Sequence, residues 1–157
     1  MRASRTAVWL TALVVALFQV MGSLGAADRQ PDRRSIDALA IVLLLIGPAA
    51  LALRDRWPLV AVAVAVAAAD VYVAFGFPYG PIFLSPIVAM FFAIQAGQRR
   101  GTWALAAAGY GGLIVAYYLD PRSDQSNVVL HFALVAGWLV AVLVVSELVR
   151  AHREQRA

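Results

Sequence analysis

Apolar residues run along this chain in long continuous blocks separated by short polar or turn-forming breaks, without the alternation of a half-buried strand. Six helices are predicted on those blocks, over about Ala7–Ala26, Asp37–Leu53, Pro58–Phe77, Pro81–Gly97, Thr102–Leu119 and Asn127–Val149. A helix needs roughly 20 apolar residues to cross a bilayer, and the shortest block, the fourth, still suits a thin or locally adjusted one. Backbone buried in lipid must satisfy its own hydrogen bonds, which a helix does within one segment. The expected fold is therefore all-α, an integral membrane bundle of six transmembrane helices. The breaks read "ADRQPDRRSI", "RDRW", "GFPYG", "GQRRG" and "DPRSDQSN". Only the first and last exceed a tight turn, so no second domain is expected outside the membrane. Residues 1–149 form the transmembrane unit, and 150–157 begin a cytoplasmic extension of the last helix.

Composition strengthens this picture. The chain of 157 residues is 62% hydrophobic and 14% charged, against about 45–50% and 25% in soluble domains. It has no cysteine, which excludes disulfides, thiolate metal sites and cysteine nucleophiles. All 13 basic side chains are arginine, and their placement orients the bundle. With the N-terminus in the cytoplasm, Arg2, Arg5, Arg54, Arg56, Arg99, Arg100, Arg150, Arg153 and Arg156 lie inside. Arg29, Arg33, Arg34 and Arg122 lie outside. The positive-inside rule then puts both termini in the cytoplasm of a multi-pass plasma-membrane protein. The first outer loop fits least well, since it carries three of those arginines beside Asp28, Asp32 and Asp37. The opening "MRASR", the apolar run behind it and "SLGAAD" also resemble a secretory signal peptide. The run is long for that role, which favours retention as the first helix; cleavage would leave five.

The stretch "FGFPYGPIFLSP" is read as a tight external turn with an aromatic anchor. Pro78 and Gly80 break the helix, and Pro81 suits the first turn of the next one, where its missing N–H costs nothing. Pro86 lies deeper and is expected to kink that helix.

Inside the spans, polar groups are the candidates for function, because they are costly in lipid. Asp70 lies about seven residues, or roughly 10 Å, below the outer end of its helix at ~1.5 Å per residue. Gln19 and His131 lie at similar depths, so the three could form a sensory cluster responsive to external pH or to a small polar ligand. The plainer reading turns Asp70 toward a wet crevice and leaves His131 at the interface. Ala104, Ala108 and Gly112 recur every fourth residue on the fifth helix, a spacing that lets helices pack closely. "GYGG" at Gly109–Gly112 sits within an apolar helix and cannot be a phosphate loop, which needs free N–H groups at a helix start. No metal ligands, cofactor or nucleic-acid partner are expected.

The order of these motifs resembles the N-terminal membrane region of actinobacterial two-component sensor histidine kinases. The similar features are "RDRWPL" after the second helix, "FPYGP" after the third, the Arg99–Arg100 pair after the fourth, and "ELVRAHRE" leaving the membrane at the end. The resemblance covers essentially the whole chain. It implies a signal-input module whose last helix, with Glu147, Arg150 and Glu154, transmits a conformational signal to a cytoplasmic output. It also implies a homodimer and either a cytoplasmic kinase partner or a C-terminal kinase domain. The phospho-acceptor and ATP-lid motifs of that family are absent from these 157 residues, so no enzymatic activity is expected of them. The rival class, a small transporter or channel subunit, predicts inverted repeats and a polar path across the whole membrane, and neither is evident.

Overall fold

The computed structural model describes residues 4–122 and 127–155. Arg2, Arg156 and part of the last loop lie outside those residues. Six α-helices follow in order: α1 Arg5–Ala27, α2 Ala38–Ala50, α3 Pro58–Ala74, α4 Leu84–Gln95, α5 Arg99–Leu119 and α6 Val128–Gln155. Single 3₁₀ turns, Leu51–Leu53 and Pro81–Phe83, extend α2 and precede α4. There is no strand among the described residues. Three helices, α1, α5 and α6, are long and apolar enough to cross a membrane, and the other three are shorter apolar helices.

The helix ends follow from local chemistry. The Ser4 hydroxyl accepts from Ala7 N at 3.2 Å and starts α1. The Asp37 carboxylate accepts from Ala40 N at 3.0 Å and starts α2. That bond, helped by Arg34, holds the Asp37 carboxyl below its ordinary range. Its contribution to stability is present above the unfolded-state value and fades as pH falls through the lower folded one. Pro48 removes an amide donor inside α2, and the helix ends two residues later at Ala50, passing directly into the 3₁₀ turn Leu51–Leu53. Pro58 occupies the first position of α3. Pro86 is the third residue of α4, where an amide has no intrahelical partner to lose. Pro86, expected to kink the helix from a deeper position, thus lies in its first turn, just after the change from 3₁₀ to α winding at Leu84.

Helix α3 is the centre of the bundle, packed against α2, α4 and α5. Its Ala61, Ala65, Ala68 and Ala69 are all buried, and small side chains on several faces let three neighbours approach together. Helix α1 leans on α2 and on the start of α4, while α6 packs mainly on α4. One end of the bundle, the loop end, gathers the α1–α2, α3–α4 and α5–α6 connections. The other, the terminal end, holds the start of α1, the end of α6 and the turns after α2 and α4. Leu51, Val62, Met90, Ala93, Ile94 and Leu143 belong to the core cluster toward the terminal end. Ala40, Leu44, Tyr72, Phe77 and Ile82 belong to the cluster toward the loop end. Outward, α1 exposes Trp9, Leu13, Leu17 and Phe18, and α6 exposes Val129, Leu134, Trp138 and Val145. Exposed apolar surface of this kind on two sides marks a membrane or protein contact.

The arginine-rich first loop is folded onto the turn after α3. The Gln30 side chain donates to Tyr79 O and accepts from Tyr79 N, both at 3.0 Å. Arg34 N donates to Gly76 O at 3.0 Å, and its guanidinium pairs with Asp37 at 2.6 Å. Arg33 lies 4.2 Å over the Tyr79 ring and forms an ion pair with Asp120, whose side chain is fully buried. Burial raises the Tyr79 phenol, with the nearby Arg33 acting against it. Two of the three first-loop arginines that fit the positive-inside pattern least well, Arg33 and Arg34, therefore have structural partners, while Arg29 is exposed. Gly76 makes this docking possible. Its φ is +71°, and a Cβ there would stand 2.7 Å from Asp120 Oδ1. Gly76→Ala should cost about 1–2 kcal/mol from the left-handed backbone alone, read as a lower unfolding midpoint in detergent. An unchanged midpoint would contradict this geometry.

Candidate functional site

Helices α3, α4, α5 and α6 surround a cavity of about 280 Å³. Its walls are apolar, including Val66 and Ala69 from α3, Met90 from α4 and Val135 from α6. Asp70 supplies the one carboxyl group of the lining, and Phe83, Tyr110 and Trp138 supply aromatic side chains. The Tyr110 hydroxyl is already committed, donating to Phe132 O at 2.9 Å.

Asp70 reaches the cavity because α3 and α5 run side by side in the same direction with almost no gap. A Cβ on Gly101 would meet Leu59 at 2.6 Å, one on Gly109 would meet Val66 at 2.3 Å, and one on Gly112 would meet Asp70 Oδ2 at 2.3 Å. The three α3 partners share one face of their helix. The close-packing row on α5 is therefore Gly101, Gly109 and Gly112. Ala104 and Ala108 of the expected stripe are exposed, facing away from the bundle, and of that stripe only Gly112 touches α3. The displacement is physical: an Ala-to-Ala spacing permits close approach, but a missing Cβ permits a closer one.

The Asp70, His131 and Gln19 side chains do not assemble into one cluster. Gln19 is fully buried, donates to Ile82 O at 3.1 Å and accepts from the Ser85 hydroxyl. It fastens α1 to the start of α4, beside the place where Gly22 and Ser23 press on Pro81 and Gly80. His131 stacks on Tyr117, with ring centroids 5.3 Å apart, and neighbours Tyr79 at 6.3 Å. Among the described residues, no hydrogen bond or ion pair reaches Asp70. Helix depth had placed the three at one level, whereas rotation about each helix axis sends them to different neighbours.

At the terminal end, α6 is fastened to the turn between α4 and α5. Arg99 pairs with Glu147 at 2.5 Å, and Trp103 Nε1 donates to the same carboxylate at 3.2 Å. Arg150 donates to Ile94 O at 3.0 Å and to Glu154 at 2.7 Å, and Gln95 donates to Ser146 O at 3.0 Å. Gly97, at φ +88°, turns the chain beside the Arg150 guanidinium. Glu147, Arg150 and Glu154 thus sit where α6 leaves the bundle. The Glu147 partners Arg99 and Trp103, and the Ile94 carbonyl that receives Arg150, have no signal in the sequence, where only the i,i+4 spacing of Arg150 and Glu154 marks an ion pair. Across the same end, the Arg54 guanidinium lies 3.8 Å over the Phe92 ring, and burial lowers its basicity.

Among the described residues, no three His, Cys, Asp or Glu side chains converge to hold a metal ion. The chain matches no family model, no characterised protein and no solved structure.

Proposed function

We propose that the chain is a six-span membrane bundle with both tails in the cytoplasm and that it works as a signal-input module of the sensor type. The cavity around Asp70 receives the stimulus, and α6 carries the response to a cytoplasmic output. The observation that carries this reading is the position of α6. Val135, Trp138, Leu139 and Val142 of that one helix line the cavity, while Glu147 and Arg150, further along, clamp it to the α4–α5 turn. A ligand that favours one placement of α6 must therefore act on the clamp as well, because packed helices shift as rigid units. The resemblance to sensor kinase membrane regions supports the same assignment of input and output ends. A transporter reading is disfavoured because the cavity walls carry only one carboxyl group, too few polar groups for a path through the bundle.

Two measurements test the proposal. Reporter fusions at both tails should read cytoplasmic, and opposite sides would reject the six-span topology. A sensor-kinase dimerisation helix and ATP-binding domain, fused in helical register behind Ala157, should autophosphorylate under control of this bundle. Asp70→Asn and Glu147→Gln should each change that output by at least about fivefold, the lower range of ordinary allosteric coupling. Output insensitive to both substitutions would reject the input role.

A further inference from the structure

We infer that the cavity is a binding site for an ammonium group carried on an apolar body. The inference deepens the input-module reading and rests on it for its biological meaning. Three observations converge. The first is the Asp70 carboxyl group, without a partner among the described residues and half-buried on α3 against Gly112. A carboxylate held among apolar walls without a partner is unfavourable until a proton or a cation neutralises it.

The second is the set of aromatic side chains. Phe83, Tyr110 and Trp138 line the same space as Asp70. Aromatic faces attract cations through the ring quadrupole, and the attraction grows where water is excluded. A proton gains nothing from the rings and a small metal ion would have to shed its water among apolar walls, whereas a weakly hydrated alkylated ammonium suits the charge, the rings and the walls together.

The third is access and volume. Trp138 is 74% exposed on the outward surface of α6, so the cavity has an aromatic edge toward the surroundings of the bundle. At about 280 Å³, it has room for hydrocarbon around the charge, and its Val, Leu and Met walls favour such a body over a bare ammonium. The cation could be a free amphiphilic amine or the headgroup of an ammonium-bearing lipid, which share this chemistry.

The test uses the full chain in lipid nanodiscs with radiolabelled phenyltrimethylammonium as the probe. Binding should saturate at one equivalent per chain above empty nanodiscs. Asp70→Asn should weaken it by at least about tenfold, equivalent to 1.4 kcal/mol. Trp138→Leu, on the exposed side of α6 and therefore tolerant of change, should weaken it several-fold with an unaltered unfolding midpoint. Unlabelled tert-butylbenzene, the uncharged isostere, should displace the probe poorly. Displacement by the isostere as effective as by the cation itself would overturn the proposal, as would non-saturable binding or full affinity in both variants.

Weaker probe binding in phosphatidylethanolamine discs than in discs of an uncharged glycolipid, which lacks an ammonium group at the same net charge, would assign the cation to a lipid headgroup. Equal affinity would assign it to a free amphiphile, and both results keep the site. Binding that holds while the kinase fusion ignores Asp70→Asn rejects the input role but not the ligand class. Loss of binding with the fusion still responsive rejects the ligand class alone.

Discussion

Arg33→Ala is expected to destabilise the folded chain by about 3–5 kcal/mol, the range seen when one member of a buried ion pair is removed. Arg33 is the ion-pair partner of Asp120, whose side chain is fully buried. Asp120 also accepts from Arg122 N at 3.0 Å, but one amide does not neutralise a buried carboxylate. The same substitution removes the guanidinium from the Tyr79 ring. Docking of the first loop onto the α3–α4 turn would then rest on the Gln30–Tyr79 and Arg34–Gly76 bonds. The measurement is unfolding in mild detergent titrated with a denaturing one. Arg29→Ala, exposed on the same loop, serves as the control and should stay within about 0.5 kcal/mol of the parent. Asp120→Asn placed on Arg33→Ala should restore part of the loss, because it removes the orphaned charge. A loss under 1 kcal/mol for Arg33→Ala, or no recovery in the double variant, would mean that this pair does not hold the loop end together.

Gly109→Val should separate α3 from α5 and cost about 1–3 kcal/mol or more through overpacking. A Cβ at Gly109 would stand 2.3 Å from Val66 Cγ1. Valine has one strongly preferred rotamer in a helix, so Val66 cannot swing aside without strain. The control lies two residues away on the same helix. A Cβ on Gly111 meets nothing within 4 Å, and Gly111→Ala should match or exceed the parent, since alanine is the better helix former by about 1 kcal/mol. The two substitutions therefore have opposite expected signs, which a general intolerance of α5 to change would not produce. Val66 also lines the cavity, so Gly109→Val should weaken cation binding along with stability. Equal midpoints for Gly109→Val and Gly111→Ala would refute the close α3–α5 contact.

Much of the architecture was legible in the chain before any coordinates. The start of α3 is marked by Pro58, the 3₁₀ turn that leads into α4 by Pro81, the start of α2 by Asp37, and the turn between α4 and α5 by Gly97 with its flanking arginines. Such signals are local, because a missing N–H or a left-handed φ acts within one turn of where it occurs. They located six helices, although only α1, α5 and α6 have the length and composition to cross a membrane unaided.

What the sequence determined by itself is therefore the number, order and approximate ends of the helices, together with their apolar character. The tertiary structure alone decided how each helix is rotated. Helix α3 is apolar on nearly every side, so no amphipathic stripe indicates which face meets α5 and which meets α2. That rotation turned Gly101 and Gly109, rather than Ala104 and Ala108, toward α3, and it spent Gln19 on Ile82 and Ser85. It also brought Asp70 among aromatic rings from α5, α6 and the start of α4, a meeting fixed by close packing between segments far apart in the chain.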